Sequence, residues 1–329
     1  MKKQILTMAM AAAMALPWAA QAGDAAEAKW YGRIHVAVDK FSDTELRIDT
    51  SGKKANNIGV KGSMPANFPG LTGLKAVYKL EAGYDMDKTD GGGFVRVRDT
   101  WLGMKSKTLG TLRAGTIVTS YKETGKAVDP LFTTSAEGRG GLGMMSKLHG
   151  GSGDAGQGRA TRTVRYDSPN LGGAKIIGAY TLRNGGENNI GLGVHYKNGP
   201  ILAFIDYMDV PEGDGASAVK VGAKYSASGV TVAGHYEIDD GLVSGDKDGE
   251  GNILFLSAGY KMGATQFVLD LGIRDESKKK KQSERTAWAI AVKQKVSKTA
   301  LAYLGYGMID DDTVDDNDSV VTAGMLVSF

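Results

Sequence analysis

The sequence predicts an all-β protein, a sixteen-stranded antiparallel transmembrane β-barrel, and three observations support this fold class. Hydrophobic and polar residues alternate along most of the 329 residues, the connections between the alternating segments are short and long in turn, and the chain ends inside an apolar strand. The 47 glycines, spread evenly among only seven prolines, agree with many strands and tight turns. There are no cysteines, so neither disulfides nor thiolate metal sites can stabilise the fold.

Alternation at period two distinguishes strands from helices, and it is clear in "LKAVYKLEAGYD" (74–85). Leu74, Leu80 and Tyr84 share one face of this segment, whereas Lys75 and Lys79 share the other. We count sixteen segments of this kind. They lie near residues 30–40, 56–64, 73–86, 94–105, 110–121, 162–170, 173–183, 189–198, 200–210, 218–227, 230–240, 251–262, 264–276, 285–297, 299–312 and 319–329.

The connections between these segments alternate in length. Short ones such as "KNGP" and "SASG" are typical of tight turns, whereas long ones such as "DMDKTDGGG" are charged. An even number of amphipathic strands of about ten residues, with turns at one end and loops at the other, is typical of an outer-membrane barrel. A soluble β-propeller would need a blade-length repeat, which we do not find, and a β-sandwich would not alternate its connections so regularly.

The last ten residues, "VVTAGMLVSF", read as a strand with one apolar face. Val321, Met325 and Phe329 lie on that face, and Thr322 and Ser328 lie on the other. A free chain end normally frays. We therefore expect the last strand to pair both with the fifteenth and with the first, "WYGRIHVAVDK", which leaves no sheet edge. Phe329 is then expected on the apolar face at the periplasmic rim.

The N-terminus is typical of a secretory signal peptide. Two lysines precede an apolar stretch (5–16), and the small-residue cleavage site "AQA" (20–22) follows. The apolar stretch is shorter than the roughly 20 residues that a spanning helix needs. We therefore expect residues 1–22 to be removed and residues 23–329 to form a single barrel domain. Loss of the two lysines reduces the formal net charge from +3 to about +1, so nothing indicates nucleic-acid binding.

Several motifs resemble the general diffusion porins of Gram-negative bacteria. They are "YGRIHVAVD", "NNIGVKGS", "GLKAVYKLEAGYD", "RDTWLGMKSKTLGTLRAG", "RTVRYDSPNLGGAKIIGAY" and the terminal Phe329, and they follow the family's order over essentially the whole mature chain. The resemblance implies a homotrimer in which the third loop of each barrel folds into its lumen. It also implies that the terminal Phe329 is read by the barrel-assembly machinery. The barrel pattern itself predicts an outer-membrane protein in contact with lipid, and the basic run 278–281 is a candidate for contact with lipopolysaccharide phosphates.

In a pore, the charged side chains at the narrowest point act as the functional site. Strand parity predicts a mostly basic lumen, with Arg98 as the leading candidate. The full set of candidates is Arg33, His35, Lys61, Lys75, Lys79, Arg96, Arg98, Arg113 and Arg159. The third loop, expected over about residues 122–161, would supply Glu123, Asp129 and Glu137 on the facing side. A transverse field between the two rows would sieve solutes by charge, and the basic excess predicts a weak-to-moderate anion preference. Alternatively, these charges only keep the lumen hydrated.

The sequence thus predicts a water-filled channel for passive diffusion of small hydrophilic solutes and ions, without a cofactor. A solute-specific channel for a sugar or an anion is the alternative. A sugar channel would use a row of inward aromatic residues, and parity places only Phe204 and Phe255 inward. Catalysis is disfavoured, because the four histidines are far apart in sequence and no nucleophile or carboxylate converges on them. The segment "DKDGEGNI" (246–253) resembles part of a calcium loop, but Ser257 stands where a bidentate glutamate is required.

Overall fold

The computed structural model describes residues 27–50, 54–86, 96–139, 142–210, 216–240, 250–276, 284–311 and 318–329. The expected signal peptide (1–22), the basic run 278–281 and the first half of the segment 246–253, residues 246–249, lie outside these residues. The strands are β1 (Glu27–Phe41), β2 (Arg47–Asp49), β3 (Asn57–Pro65), β4 (Lys75–Gly83), β5 (Arg96–Val97), β6 (Thr100–Ser106), β7 (Gly110–Val118), β8 (Arg159–Asp167), β9 (Ala174–Thr181), β10 (Asn189–Asn198), β11 (Ile201–Val210), β12 (Ala216–Ala227), β13 (Val230–Asp240), β14 (Glu250–Met262), β15 (Thr265–Glu276), β16 (Glu284–Lys295), β17 (Ala300–Asp311) and β18 (Ser319–Ser328).

Sixteen long strands form the barrel. The short strands β2 and β5 are separate pieces of two strands that are interrupted. Both β2 and β3 pair with β1, and both β5 and β6 pair with β4. Ala55 lies in the first interruption with a φ of 59°, which a β-strand does not accommodate. The sixteen predicted strands are confirmed, as is the alternation of short and long connections. For example, Ser228 and Gly229, both with positive φ, form the two-residue turn between β12 and β13.

The sheet closes between β1 and β18. The antiparallel register runs from Arg33 opposite Ser328 to Phe41 opposite Val320. Two further hydrogen bonds join the chain end to β1, from Phe329 N to Gly32 O (3.1 Å) and from Gly32 N to Phe329 O (3.0 Å). The Phe329 ring lies over Gly32, where an added Cβ would be only 2.3 Å from it. The last strand is therefore not an edge, as the sequence predicts.

The two faces of the barrel differ in chemistry. On β1, Ile34 and Val36 are exposed on the outer face, whereas His35, Ala37 and Asp39 are buried inside. The same pattern continues around the sheet, with exposed Leu, Ile, Val and Tyr side chains on nearly every strand. A continuous apolar outer surface is what contact with lipid requires. Among the described residues, no helix is both long enough and apolar enough to cross a membrane.

The connection between β7 and β8, residues 119–158, is the third loop, and it contains a helix that the sequence analysis missed. Helix α1 (Ser120–Val128) begins directly after β7, so the predicted strand 110–121 is three residues too long. The side chain of Thr119 caps the helix by accepting a hydrogen bond from Lys122 N (3.2 Å). Glu123 in the first turn and Lys126 in the last turn complement the helix dipole. A short 3-10 helix (Lys147–His149) follows.

An apolar core fixes the third loop inside the barrel. Loop side chains such as Leu131 and Met144 pack against inward residues of β11 and of β13–β18. The core comprises Val128, Leu131, Ala136, Leu142, Met144, Met145, Phe204, Ala233, Phe255, Val268, Ala287, Ala289, Ala291, Ile309 and Val320. Phe204 and Phe255 do point inward, but they are buried beneath the loop and form no aromatic path. The loop therefore fills one side of the lumen, and the open side lies against the early strands.

Candidate functional site

The open side of the lumen contains a cavity of about 750 Å³, called here the basic cavity, between the third loop and strands β1, β4, β5, β7 and β8. Eight basic side chains line it, against three acidic ones. The basic residues are Arg33, Lys79, Arg96, Arg98, Lys122, Lys126, Arg139 and Arg159, and the acidic residues are Glu81, Asp99 and Glu123. Charges of one sign on low-dielectric walls focus the electric field inside such a space, so an ion within it meets a strongly positive potential.

The carboxylates on the barrel wall are each shared between two basic groups. Glu81 accepts from Arg98 Nε (2.6 Å) and lies 3.1 Å from Lys79 Nζ. Asp99 accepts from Lys79 Nζ (2.7 Å) and from Arg159 Nε (2.8 Å). These charge-assisted bonds hold the basic side chains in fixed positions on the wall. They leave an excess of positive charge, because two carboxylates face three basic groups here.

The third loop also presents basic groups to the basic cavity. Lys122 and Lys126 are one turn apart on α1, and neither has an ion-pair partner among the described residues. Burial, followed by the charges of Arg33, Arg98 and Lys79, lowers the pKa of Lys126. The neighbouring Glu123 turns towards the wall instead, where its Oε2 lies 2.7 Å from Arg165 Nη2.

The structure distributes the nine basic residues predicted from strand parity over four environments. Arg33, Lys79, Arg96, Arg98 and Arg159 line the basic cavity. Lys61 and Arg113 line a second cavity of about 900 Å³ nearer the short turns, the turn-side cavity, and Arg113 there pairs with Asp167. Lys75 is exposed and lines neither cavity. His35 is fully buried in the wall, between Lys54 O (3.0 Å) and Tyr303 Oη (2.9 Å).

Two of the three acidic residues expected to face the basic wall lie inside the loop. Asp129 is 3% exposed and accepts hydrogen bonds from Leu131 N (2.7 Å) and Gly138 N (3.0 Å). Burial and the carboxylate of Glu137 raise the pKa of Asp129 to about 7. Glu137 is 1% exposed and pairs with Arg139 at 2.9 Å. Among the described lining residues, the loop therefore faces the wall with lysines rather than with a row of carboxylates.

Buried polar groups anchor the start of the third loop to strands β11–β13. Tyr121 Oη donates to Glu237 Oε2 (2.7 Å), and Lys220 Nζ donates to Tyr121 O and to His149 Nε2 (3.0 Å). Thr124 Oγ1 donates to Asp206. All of these groups are buried, so their hydrogen bonds replace lost hydration and define one loop position. Sequence spacing gives no sign of this cluster, because its members come from five separate elements.

The tip of the loop is anchored on the opposite wall. Lys54 Nζ donates to Ser135 Oγ (2.7 Å), and Ser135 Oγ donates to Asp39 Oδ2 (2.5 Å). Between the two anchors, Lys293 Nζ donates to Pro130 O (2.5 Å). The loop is thus held at its start, middle and tip, and the lysines of α1 are kept at the basic cavity.

One group of side chains has the residue types of a metal site. Potential ligand atoms of His149, His235 and Glu237 lie within 4.8 Å of one another. However, His149 Nδ1 is 3.0 Å from Ser146 O, and His235 Nε2 is 2.9 Å from Glu237 Oε1. The ammonium group of Lys220 also lies against His149. Most of the potential ligand atoms are therefore already hydrogen-bonded in the loop anchor, with His235 Nδ1 as the exception, and an entering cation would meet a positive charge.

Comparison with solved structures identifies the same architecture in a porin and in other Omp proteins. An anion-selective porin from Comamonas acidovorans is 20% identical, with a TM-score of 0.76 over 93% of this chain and 100% of that chain. OmpT of Vibrio cholerae in its trimer form is 15% identical, with a TM-score of 0.69 over 93% and 100% of the two chains. OmpF of Salmonella typhi, in complex with daunomycin, is 15% identical, with a TM-score of 0.73 over 92% and 97%.

Sequence comparison agrees with the structural one. No curated protein sequence matches the chain significantly. The model of the Gram-negative porin family matches residues 7–314, which include almost the entire barrel. The family match, the closed sixteen-stranded barrel and the loop folded into its lumen lead to one conclusion. This chain belongs to the Gram-negative porin family and forms a diffusion channel in the outer membrane.

Proposed function

We propose that this porin admits small hydrophilic solutes and ions by passive diffusion and prefers anions to cations. The observation that carries the proposal is the lining of the basic cavity, with eight basic and three acidic residues. The turn-side cavity continues the same bias, since Lys29, Lys105 and Lys175 line it together with Lys61 and Arg113, against only two acidic residues. An anion would therefore remain at favourable potential along both cavities, which raises its local concentration.

A passive channel fits the lining better than a sugar-specific channel or an enzyme. The two inward phenylalanines that parity identifies are covered by the third loop and are unavailable to a permeating solute. The side chains of His149, His235 and Glu237 are buried, and they form hydrogen bonds that anchor the third loop. We therefore propose no catalytic role for the chain. Selectivity comes from charge and width alone.

We further propose that residues 1–22 are a signal peptide, that residues 23–329 form one barrel domain and that three copies assemble into a homotrimer. The similarity to OmpT of Vibrio cholerae, an outer membrane protein solved in a trimer form, supports the last point. The apolar outer face would contact lipid, and lipopolysaccharide would contact its outer rim. The position of Phe329 supports its recognition by the barrel-assembly machinery, because its side chain is 62% exposed at the end of the closing strand.

Planar-bilayer recording of the purified protein tests this function. We expect conductance steps in multiples of three, from trimers, and a zero-current potential in a KCl gradient with the sign of chloride selectivity. Liposome swelling should show that neutral sugars enter at rates set by their size and without saturation. A saturable sugar flux would favour the solute-specific alternative, and a cation-selective potential would overturn the anion preference.

A further inference from the structure

Arg165 is a charged side chain buried in the barrel wall, and it lines neither the basic cavity nor the turn-side cavity. It is 2% exposed and lies in β8, next to the first turn of α1. Burying a charged group costs free energy unless the group is paired and hydrogen-bonded, so the partners of Arg165 indicate what it does. Conduction through the two cavities does not by itself require this residue.

The guanidinium group of Arg165 bonds to acceptors in three elements. Nη1 donates to Val118 O (2.6 Å), in the last residue of β7. Nη2 donates to Glu123 Oε2 in α1 (2.7 Å) and to Asp167 Oδ1 in β8 (2.8 Å), and Nε donates to Asp167 Oδ2 (3.2 Å). Since α1 follows β7 directly, Arg165 holds the chain on both sides of the junction between strand and helix. The rigid, planar fork of an arginine can serve several acceptors in this way, and the compact ammonium group of a lysine cannot.

Glu123 is the partner of Arg165 that reaches the lumen. Its side chain is 40% exposed and lines the basic cavity, so its carboxylate lies at the boundary between the wall and the conducting path. Lys126 is three residues further along α1, where the two side chains are neighbours on the helix surface, and it has no ion-pair partner among the described residues. A Glu123 carboxylate free of Arg165 would therefore turn towards Lys126 and the lumen.

Arg113 and Asp167 complete a network of four charges. Asp167 pairs with Arg113 as well as with Arg165, so two arginines neutralise the two carboxylates of Asp167 and Glu123. The network extends from Arg113 in the turn-side cavity to Glu123 in the basic cavity. Because opposite charges in close contact largely cancel at a distance, the paired Glu123 subtracts little from the positive potential of the basic cavity.

We propose that Arg165 is a positioning residue for ion selectivity, which holds the Glu123 carboxylate at the wall and so keeps it out of the conducting path. The proposal rests on the anion preference proposed above, and it identifies a residue outside the cavity lining that sets the strength of this preference. Arg165 acts through Glu123 and touches no permeating ion. Loss of the arginine fork should therefore lower the anion preference only while residue 123 carries a charge.

Arg165→Lys tests this role, because it keeps the charge of the wall and removes the planar fork. The ammonium group should remain with Asp167, which is two residues away on the same face of β8, and release Glu123. A carboxylate that moves from about 10 Å to about 6 Å from an ion at the cavity centre changes the chloride-to-potassium permeability ratio about two- to threefold at low salt. We expect the zero-current potential in a KCl gradient to shift towards potassium by this factor. An unchanged potential would overturn the proposal.

Glu123→Gln distinguishes positioning from a merely structural role of Arg165. In the Arg165→Lys background it should restore the permeability ratio at least to the value of the unmodified protein, because no carboxylate then enters the lumen. In the unmodified background the amide oxygen still accepts from Arg165, so the variant should fold, and the ratio should rise by a smaller factor. If Glu123→Gln changes the ratio equally in the two backgrounds, Arg165 does not act through Glu123.

Arg162→Lys is the matched control in the same strand. Arg162 pairs with Asp154 and lines neither cavity, so the permeability ratio should stay unchanged. Equal shifts in Arg162→Lys and Arg165→Lys would assign the effect to β8 as a whole and refute the positioning role. Heat-modifiable migration in SDS gels, which depends only on a folded barrel, confirms that each variant has folded.

The same recordings separate failure of this inference from failure of the anion preference. A chloride-selective channel whose selectivity does not change in Arg165→Lys retains the proposed function and refutes the role of Arg165. An unmodified channel without chloride selectivity refutes both.

Discussion

Neutralising Arg33 should reduce anion preference, and the structure allows the effect to be calculated. Arg33 lines the basic cavity and has no ion-pair partner among the described residues, so Arg33→Gln leaves no carboxylate without its partner. A sphere of 750 Å³ has a radius of about 6 Å, which is the distance from its centre to a charge on the wall. At that distance, one unit charge contributes about 0.7 kcal/mol in the dielectric of water, with opposite signs for chloride and potassium.

The substitution should therefore change the difference in electrostatic free energy between chloride and potassium in the basic cavity by about 1.4 kcal/mol at low salt. This corresponds to about a tenfold change in the chloride-to-potassium permeability ratio. At physiological salt the screening length is about 8 Å, and the change should fall to roughly threefold. The assay is the zero-current potential in a KCl gradient, measured at both salt concentrations. Lys75→Gln is the matched control, because Lys75 lines neither cavity. Equal shifts in the two variants would refute the assignment of Arg33 to the conducting path.

Three further predictions concern the wall, the loop anchor and pH. Arg98→Ser should reduce chloride selectivity more than Arg113→Ser in the same assay, because both arginines are paired with a carboxylate but only Arg98 lines the basic cavity, whereas Arg113 lies in the turn-side cavity. Tyr121→Phe should remove one hydrogen-bond donor from the buried carboxylate of Glu237 and weaken docking of the third loop by about 1–3 kcal/mol. The open-channel current noise should therefore increase, and unchanged noise would contradict the role of Tyr121 in anchoring the loop. Chloride selectivity should fall as pH rises towards the ordinary lysine pKa of 10.5, because burial and neighbouring arginines lower the pKa of Lys122, which therefore loses its charge before an ordinary lysine does; selectivity that is constant over this range would contradict the place of Lys122 in the lining of the basic cavity.

The barrel could be predicted from sequence because each strand meets two solvents. Lipid outside and water inside impose a period of two, and that period is visible in segments such as β1 and β4. Closure between β1 and β18 could be predicted as well, since an apolar C-terminal strand ending in Phe329 needs a partner on both sides. Strand ends are harder to predict. The predicted end of β7 is three residues too late because α1 follows the strand without an intervening turn.

The interior of the loop could not be predicted, because residue type does not reveal which side of a loop faces the pore. Asp129 and Glu137 were natural candidates for a facing acidic row, but they bind backbone amides and Arg139 inside the loop. Lys122 and Lys126, which do line the cavity, are not among the residues predicted from the sequence. One signal was available: Ala287 and Ala289 in β16 make its inward face apolar, and an apolar inner wall indicates that something covers it.

The central claim is that the basic cavity governs ion permeation, and one measurement tests it most directly. The zero-current potential of the unmodified protein across a planar bilayer, under a tenfold KCl gradient, is recorded at low and at high mean salt. The basic lining predicts the sign of chloride selectivity, with a magnitude that decreases as salt screens the eight basic groups. A potential near zero at low salt, or one with the sign of potassium selectivity, would contradict the account.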